Sequence, residues 1–342
     1  FPPLFSIVKL NILVYYLIFL VHHFKNKKWL TIAGTHGKTT STKMLSTILK
    51  DTTSLIGDGD YSFGLSDYFI LEACEYRDTF LNYHSDIALV LNVDYDHVDY
   101  FKTKEDYDAS FIKFIKQSRL AVVNGDEFNY RSKNMITFGL NPDNDVKFSY
   151  DDGKVVILNK SFYLPIKGLK YAYDFVGVYL VSKLLNLHDS MIQLRLNEFK
   201  MPRRRFERYK LPNQIVVLDY AHHPNEINTI YETIKEEYPL EEKICIFEPH
   251  TITRLLAFKD DFKKVLSLFD KCYLYELFSS VREHHDIGLE ERLYHELGFE
   301  LYEENKISNL NGVVCFLGAG IIDKGCLQYL KQRGLGFCKK IV

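Results

Sequence analysis

The 342-residue sequence is poor in several things. It has one Trp against 24 Tyr and 25 Phe, a skew to which no function attaches. Neither charge is in excess: 43 Lys and Arg stand against 45 Asp and Glu, for a formal net charge of -2. This excludes a broad polyanion-binding surface, so no nucleic-acid partner is expected. None of the six cysteines falls in a CxxC pair, and several lie inside apolar runs such as Val313-Val314-Cys315-Phe316-Leu317. Buried, reduced thiols are expected, which places the protein in the cytoplasm. There is no repeat and no low-complexity segment. With 46% hydrophobic and 26% charged residues, the composition is that of a soluble globular protein, and the length suggests two domains, or two and a fragment.

Residues 4–24 are strongly apolar, but Lys9, Asn11, His22 and His23 interrupt them. A strand over 11–16 and a helix over 17–27 are expected, the tail of an upstream globular domain. A membrane anchor is the alternative, and no membrane partner is expected.

Beyond residue 28, apolar runs alternate with helical patterns, the mark of α/β architecture with mainly parallel sheets. Strands are expected at 29–33, 68–71, 87–93 and 120–124, and a helix over 38–50 with Met44, Leu45, Ile48 and Leu49 on one face. Residues 146–164 alternate around the turn Asp151-Asp152-Gly153 and predict a small antiparallel addition. Helix returns over 171–185. A second α/β unit begins near Met201, with strands at 215–218, 244–247, 272–275 and 313–317 and helices at 224–237, 258–269 and 290–297. An active site between the two α/β domains is expected.

The first strand runs into Gly34-Thr35-His36-Gly37-Lys38-Thr39-Thr40, and a helix follows. Glycines let the backbone approach phosphate oxygens, and N–H groups at the helix start face the anion. Lys38 supplies positive charge, and the Thr39 hydroxyl can bind Mg²⁺. The usual first glycine of such a loop is missing: Ile32 stands there. The alternative is a glycine turn that merely starts a helix. Two acidic segments, Glu72-Ala73-Cys74-Glu75 and Asp94-Tyr95-Asp96-His97-Val98-Asp99, follow strands whose C-terminal ends should share the edge of the phosphate loop. A carboxylate there suits Mg²⁺. Alone, such a cluster is equally a solvated turn.

The wording Gly-Thr-His-Gly-Lys-Thr-Thr resembles the Mur ligases, a family of ATP-dependent amide ligases, and further motifs follow in family order. Glu72-Ala73-Cys74-Glu75 is similar to a family Glu-Ala-Asp-Glu, with Cys74 a departure. Asn92 to His97 matches a family Asn followed by Asp-His. Asp174 lies where a later Asn of the adenine region is usual, and an anion there only accepts hydrogen bonds. Arg204-Arg205-Phe206-Glu207 resembles the opening of the C-terminal domain. Asp219-Tyr220-Ala221-His222-His223-Pro224-Asn225-Glu226 and Pro249-His250-Thr251-Ile252-Thr253-Arg254 resemble segments of the alanine-adding members. Taken alone, the His pair reads equally as a helix cap. Arg282-Glu283 and Gly318-Ala319-Gly320 fit further signatures, although Ile321 replaces the usual Asp.

The resemblance implies an α/β fold: a central P-loop-type, mainly parallel sheet domain (29–200), then a smaller dinucleotide-binding-like α/β domain (201–342), with 1–28 as a remnant of an N-terminal UDP-binding domain. It implies ATP and Mg²⁺ as cofactors, UDP-N-acetylmuramate and L-alanine as substrates, and an acyl-phosphate intermediate. It places Lys38, His97, His250 and Arg254 in catalysis. It assigns Gly34, Thr35, His36, Gly37, Lys38, Thr39, Thr40, Asp174, Arg205 and Asp219 to nucleotide. His222, His223, His250, Arg254, Arg282 and Glu283 fall to substrate, and Thr39, Glu72 and His97 to metal. If the UDP-holding domain is absent, ligation should be impaired. A nucleotide-binding remnant without ligase activity, or a membrane-anchored ATPase, are the alternatives.

Overall fold

In the computed structural model, residues 20, 22–57, 59–278, 287–303, 311–333 and 339–341 are described. The expected strand at 11–16, most of the apolar stretch 4–24, and the pair Arg282-Glu283 lie outside them. Leu20, His22 and His23 are helical, in keeping with the end of the expected 17–27 helix. No helix among the described residues is long and apolar enough to cross a membrane.

The chain divides into two compact units. The first comprises residues 1–96, 100–165 and 172–199; the second comprises 97–99, 166–171 and 200–342.

The first unit holds a ten-stranded sheet in the order β10-β9-β8-β7-β6-β5-β1-β4-β2-β3. The strands are β1 (Lys28–Ala33), β2 (Thr53–Leu55), β3 (Tyr61–Ser62), β4 (Tyr68–Glu72), β5 (Ile87–Val90), β6 (Leu120–Asn124), β7 (Met135–Gly139), β8 (Val146–Asp151), β9 (Lys154–Ile157) and β10 (Lys160–Tyr163). From β8 across to β2 every pair is parallel. The pairs β8–β9 and β9–β10 are antiparallel, which is the small addition expected over 146–164, and β2–β3 at the other edge is antiparallel as well. Strand β1 is buried from Trp29 to Ala33, as a parallel strand covered on both faces must be.

Helix α1 (Lys38–Leu49) follows the glycine turn and buries Met44, Leu45 and Ile48. Helix α2 (Lys104–Gln117) opens on Thr103, whose side chain accepts from the Asp106 N–H, and carries Glu105 and Asp106 in its first turn. It buries Tyr107, Phe111, Phe114 and Ile115 on one face, and Phe114 stacks on Phe80 at 4.5 Å. These α2 residues and Phe80 cover the sheet face made by Trp29, Phe69, Ala88, Val90, Ala121 and Val123. Helices α3 (Leu169–Leu184) and α4 (Asp189–Leu196) complete this part of the chain.

The second unit has a seven-stranded sheet in the order β15-β14-β13-β16-β12-β11-β17. Its strands are β11 (Glu207–Leu211), β12 (Gln214–Asp219), β13 (Lys243–Phe247), β14 (Lys271–Leu274), β15 (Glu300–Leu301), β16 (Gly312–Leu317) and β17 (Lys339–Ile341). The run from β15 to β12 is parallel, and β11 is antiparallel to both its neighbours. Its helices are α5 (Pro224–Glu237), α6 (Ile252–Ala257), α7 (Lys259–Leu266), α8 (Ile287–Leu297) and α9 (Ile322–Gln332).

Several boundaries differ from expectation. The 87–93 strand stops at Val90, because residues 91–96 turn toward the phosphate loop. The helix expected over 258–269 runs only from Lys259 to Leu266, and a separate short helix, Ile252–Ala257, precedes it across the non-helical Phe258 (φ -120°, ψ 25°). Strand β14 begins and ends one residue earlier than expected, at Lys271 and Leu274.

Candidate active site

In the first unit β1 sits between β4 and β5, so the loops after these three parallel strands leave by one sheet edge. Ligands of open α/β sheets bind in a crevice of this kind. Gly34 to Gly37 form the turn after β1. Gly37 has φ 83°, a left-handed conformation that strains a residue with a Cβ. A Cβ there would also meet Asp174 Oδ1 at 2.6 Å. The buried carboxylate of Asp174, on α3, therefore packs beside the phosphate loop.

Asn92, after β5, fixes the turn. Its Oδ1 accepts the His36 N–H at 2.9 Å, and its Nδ2 donates to the His36 carbonyl at 2.9 Å. His36 Nε2 lies 3.0 Å from Asp94 Oδ2. The Thr35 hydroxyl donates to the Asp94 carbonyl at 2.7 Å and lies 2.8 Å from the buried Tyr107 hydroxyl. The loop is held from β5 and α2 by the protein's own hydrogen bonds.

Lys38 turns back over this loop. Its ammonium donates to the carbonyls of Gly34 and Thr35 and pairs with both Glu75 carboxylate oxygens, at 3.1 and 2.9 Å. Glu75 is 1% exposed. Burial works against the Lys38 charge, but Glu75, with Cys74 and Glu72 nearby, outweighs it and holds the Lys38 pKa above its ordinary value.

Thr39 and Thr40 are buried in the first turn of α1. Glu72 ends β4, and one of its oxygens accepts the Gly57 N–H at 2.8 Å. His97 lies beyond β5 with φ 54° and groups with the second unit.

These residues fit the phosphates of a nucleotide. Gly34 and Gly37 carry no Cβ, the first N–H groups of α1 follow them directly, and Lys38 supplies positive charge. Hydroxyl and carboxylate oxygens on Thr39 and Glu72 are donors a hard cation accepts.

The second unit carries its own polar cluster. Asp219 ends β12 and accepts the N–H groups of Phe206 and Ala221, at 2.6 and 2.7 Å. Burial pushes its pKa up to about 6, against the opposing pull of Arg205 and these two bonds. The guanidinium groups of Arg204 and Arg205 each lie 4.9 Å from the centre of the Tyr220 ring.

His223 caps α5, accepting the Asn225 N–H, with Glu226 closing the capping box. That is the capping role left open for the His pair. His222 Nδ1 lies 2.9 Å from the Tyr220 carbonyl and 3.2 Å from Glu226 Oε2, so Nδ1 carries the proton. His250 Nδ1 lies 3.1 Å from Arg254 Nη1. Arg only donates, so this nitrogen accepts and the neutral ring carries its proton on Nε2. The His250 ring stacks on Phe278 at 5.5 Å and meets His222 edge-on at 5.4 Å.

Glu248 follows β13 and is fully buried. Its carboxylate accepts the N–H groups of Gly320 at 2.7 Å and Ile321 at 2.8 Å. The Gly318-Ala319-Gly320 turn before α9 is thus filled by an internal anion, where a dinucleotide-binding turn would receive a phosphate. Burial raises the Glu248 pKa despite the bonds from Ile321, Gly320 and Ile322.

Motif reading passed over Asn92, Asp94, Glu75 and Glu248 as working residues. The first three lie in segments already marked by their acids. Nothing local signals Glu248.

The comparisons agree with this architecture. Residues 60–185 match the Mur ligase middle domain, and residues 204–295 match the Mur ligase glutamate ligase domain. The chain belongs to the Mur ligase family and is an ATP-dependent amide ligase of peptidoglycan synthesis. It is 35% identical, over 329 residues, to the UDP-N-acetylmuramate–L-alanine ligase of Limosilactobacillus reuteri, covering 88% of this chain and 75% of that protein. The crystal structure of the UDP-N-acetylmuramate-alanine ligase of Thermotoga maritima superposes with a TM-score of 0.76 at 22% identity, over 95% of this chain and 79% of that one. The ADP complex of the MurF ligase from Thermotoga maritima superposes with a TM-score of 0.74 at 17% identity, over 95% and 84%. At those identities the structural likeness speaks for the fold.

Proposed function

We propose that this Mur ligase joins L-alanine to UDP-N-acetylmuramate. The observation that carries the reading is the 35% identity to an L-alanine-adding ligase, extending over 88% of the chain.

The substrate carboxylate attacks the γ-phosphorus of ATP, giving an acyl phosphate and ADP. The amine of L-alanine then attacks the acyl carbon, and inorganic phosphate leaves as the amide forms. Bound Mg²⁺ would neutralise charge on the transferring phosphoryl group. Thr39, Glu72 and His97 would hold it. The backbone from Gly34 to Thr40 cradles the phosphates, and Lys38 stabilises the oxygens that gain charge in the transition state. Asp174, Arg205 and Asp219 serve the nucleotide. His222, His223, His250 and Arg254 serve the substrates, with Arg254 offering a planar fork to a carboxylate. Catalysis rests on positioning and electrostatic stabilisation.

The test is phosphate release from Mg-ATP with UDP-N-acetylmuramate present, with and without L-alanine. Release that depends on both substrates is expected. Release that answers to glycine or L-serine as readily as to L-alanine would remove the amino-acid assignment.

A further inference from the structure

We propose that Glu75 is the counter-ion that an incoming nucleotide must displace from Lys38, and that its charge makes nucleotide entry dependent on a divalent cation. The inference rests on the reading of residues 34–40 as the ATP phosphate loop and deepens it.

An ammonium has three protons to donate. Those of Lys38 are shared among the Gly34 carbonyl, the Thr35 carbonyl and the Glu75 carboxylate. To reach a phosphate oxygen, Lys38 must give up one of these partners. Glu75 is the strongest of them, because it is charged, nearly fully buried, and within 3.1 Å through both oxygens.

Glu75 is therefore a second fixed negative charge near the turn, beside Glu72 at the end of β4. An incoming nucleotide brings several more. A metal-free polyphosphate meets repulsion from both carboxylates and finds the loop cation already engaged. A metal complex of the same nucleotide carries less negative charge, so Lys38 can be shared at smaller cost. The local fold keeps Glu75 in place. The backbone breaks from β4 at Ala73, which donates to the Ile32 carbonyl, and the Glu75 carbonyl is held by the Asp78 N–H.

The experiment measures dissociation constants for ADP with and without Mg²⁺, and for tripolyphosphate without metal, in the intact chain and in Glu75→Gln. Gln keeps the shape and loses the charge. Binding of metal-free ADP and of tripolyphosphate should tighten about tenfold in Glu75→Gln, the scale of one screened like-charge contact. Mg-ADP binding should change less, so the ratio of affinities with and without metal falls. Glu75→Asp should keep the metal dependence of the parent.

If Glu75→Gln does not fold, Glu75→Ser, which leaves room for water beside Lys38, gives the same reading. An unchanged ratio in a folded variant overturns the proposal while leaving the ATP site intact. Loss of Mg-ADP binding in Glu75→Gln also overturns it, because Glu75 would then hold Lys38 ready and not compete for it. Failure of the parent protein to bind Mg-ADP at all would refute the phosphate-loop reading, and this proposal with it.

Discussion

Asn92 clasps the backbone of His36 through both ends of its amide, accepting the N–H and donating to the carbonyl, each at 2.9 Å. Among side chains of this length, only an amide presents a donor and an acceptor together. Asn92→Asp keeps the acceptor and turns a second acceptor toward the His36 carbonyl. We expect a loss of roughly 1–3 kcal/mol in unfolding free energy, the scale of a broken buried hydrogen bond. Mg-ATP affinity should fall about tenfold as the turn loosens, about 1.4 kcal/mol of binding free energy. Denaturant unfolding and nucleotide titration check both.

Removing Lys38 should have two separable effects. Lys38→Ala should abolish Mg-ATP binding and turnover. It also strands the buried Glu75 carboxylate, which should cost on the order of 3 kcal/mol of stability. Adding Glu75→Gln to Lys38→Ala should restore most of that stability and none of the turnover. A double-mutant cycle in urea, run beside a turnover assay, separates the two. Additive stability losses would show that the pair is not coupled.

Asp219 predicts a dependence of stability on pH. Its folded-state pKa of about 6 lies above the ordinary carboxyl value, so the folded chain binds this proton more tightly than the unfolded chain. The stabilisation is fully present below the unfolded pKa, near 4, and is lost as pH rises through about 6. The stability advantage of the parent over Asp219→Asn should therefore shrink by roughly 2–3 kcal/mol between pH 4 and pH 7. Unfolding curves across that range test it. A difference that widens with pH would contradict the sign.

Much of the fold was legible because its central strands are continuous apolar runs. β1, β4, β6, β12, β13 and β16 declared themselves in this way. The strands that escaped, such as Thr53–Leu55, Tyr61–Ser62 and Glu207–Leu211, are short or polar and exist through pairing with their neighbours. Helix α2 escaped although its signal was present: Thr103 before Glu105 and Asp106, then Tyr107, Phe111 and Phe114 at helical spacing. In the site, the glycines and Lys38 spell out their role locally. The partner of Lys38 lies 37 residues away, and the partners of Glu248 lie 72 and 73 residues away. Contacts at such separations are made by sheet order, which no local pattern encodes.

Glu248→Gln should test the second turn. One end of the new amide must point an N–H at the N–H of Gly320 or Ile321, leaving a buried donor unmet. A loss of about 1–3 kcal/mol in stability is expected. Hydrogen exchange at the Gly320 and Ile321 amides should quicken well before that of the α9 interior. Exchange that stays uniform along α9 would show that the carboxylate does not hold the turn.

The carboxylate of Glu248 also bears on how such chains are counted. Among the described residues two strand–glycine–helix turns are present, one after β1 and one after β16, and a survey that scores glycine turns would credit this chain with two nucleotide sites. The first turn is the one we propose for the phosphates. The second already has a tenant, the carboxylate of Glu248, so its glycines record the need for close approach by a neighbouring strand's side chain. The same three letters thus mark a proposed receptor in one half of the chain and a rivet in the other.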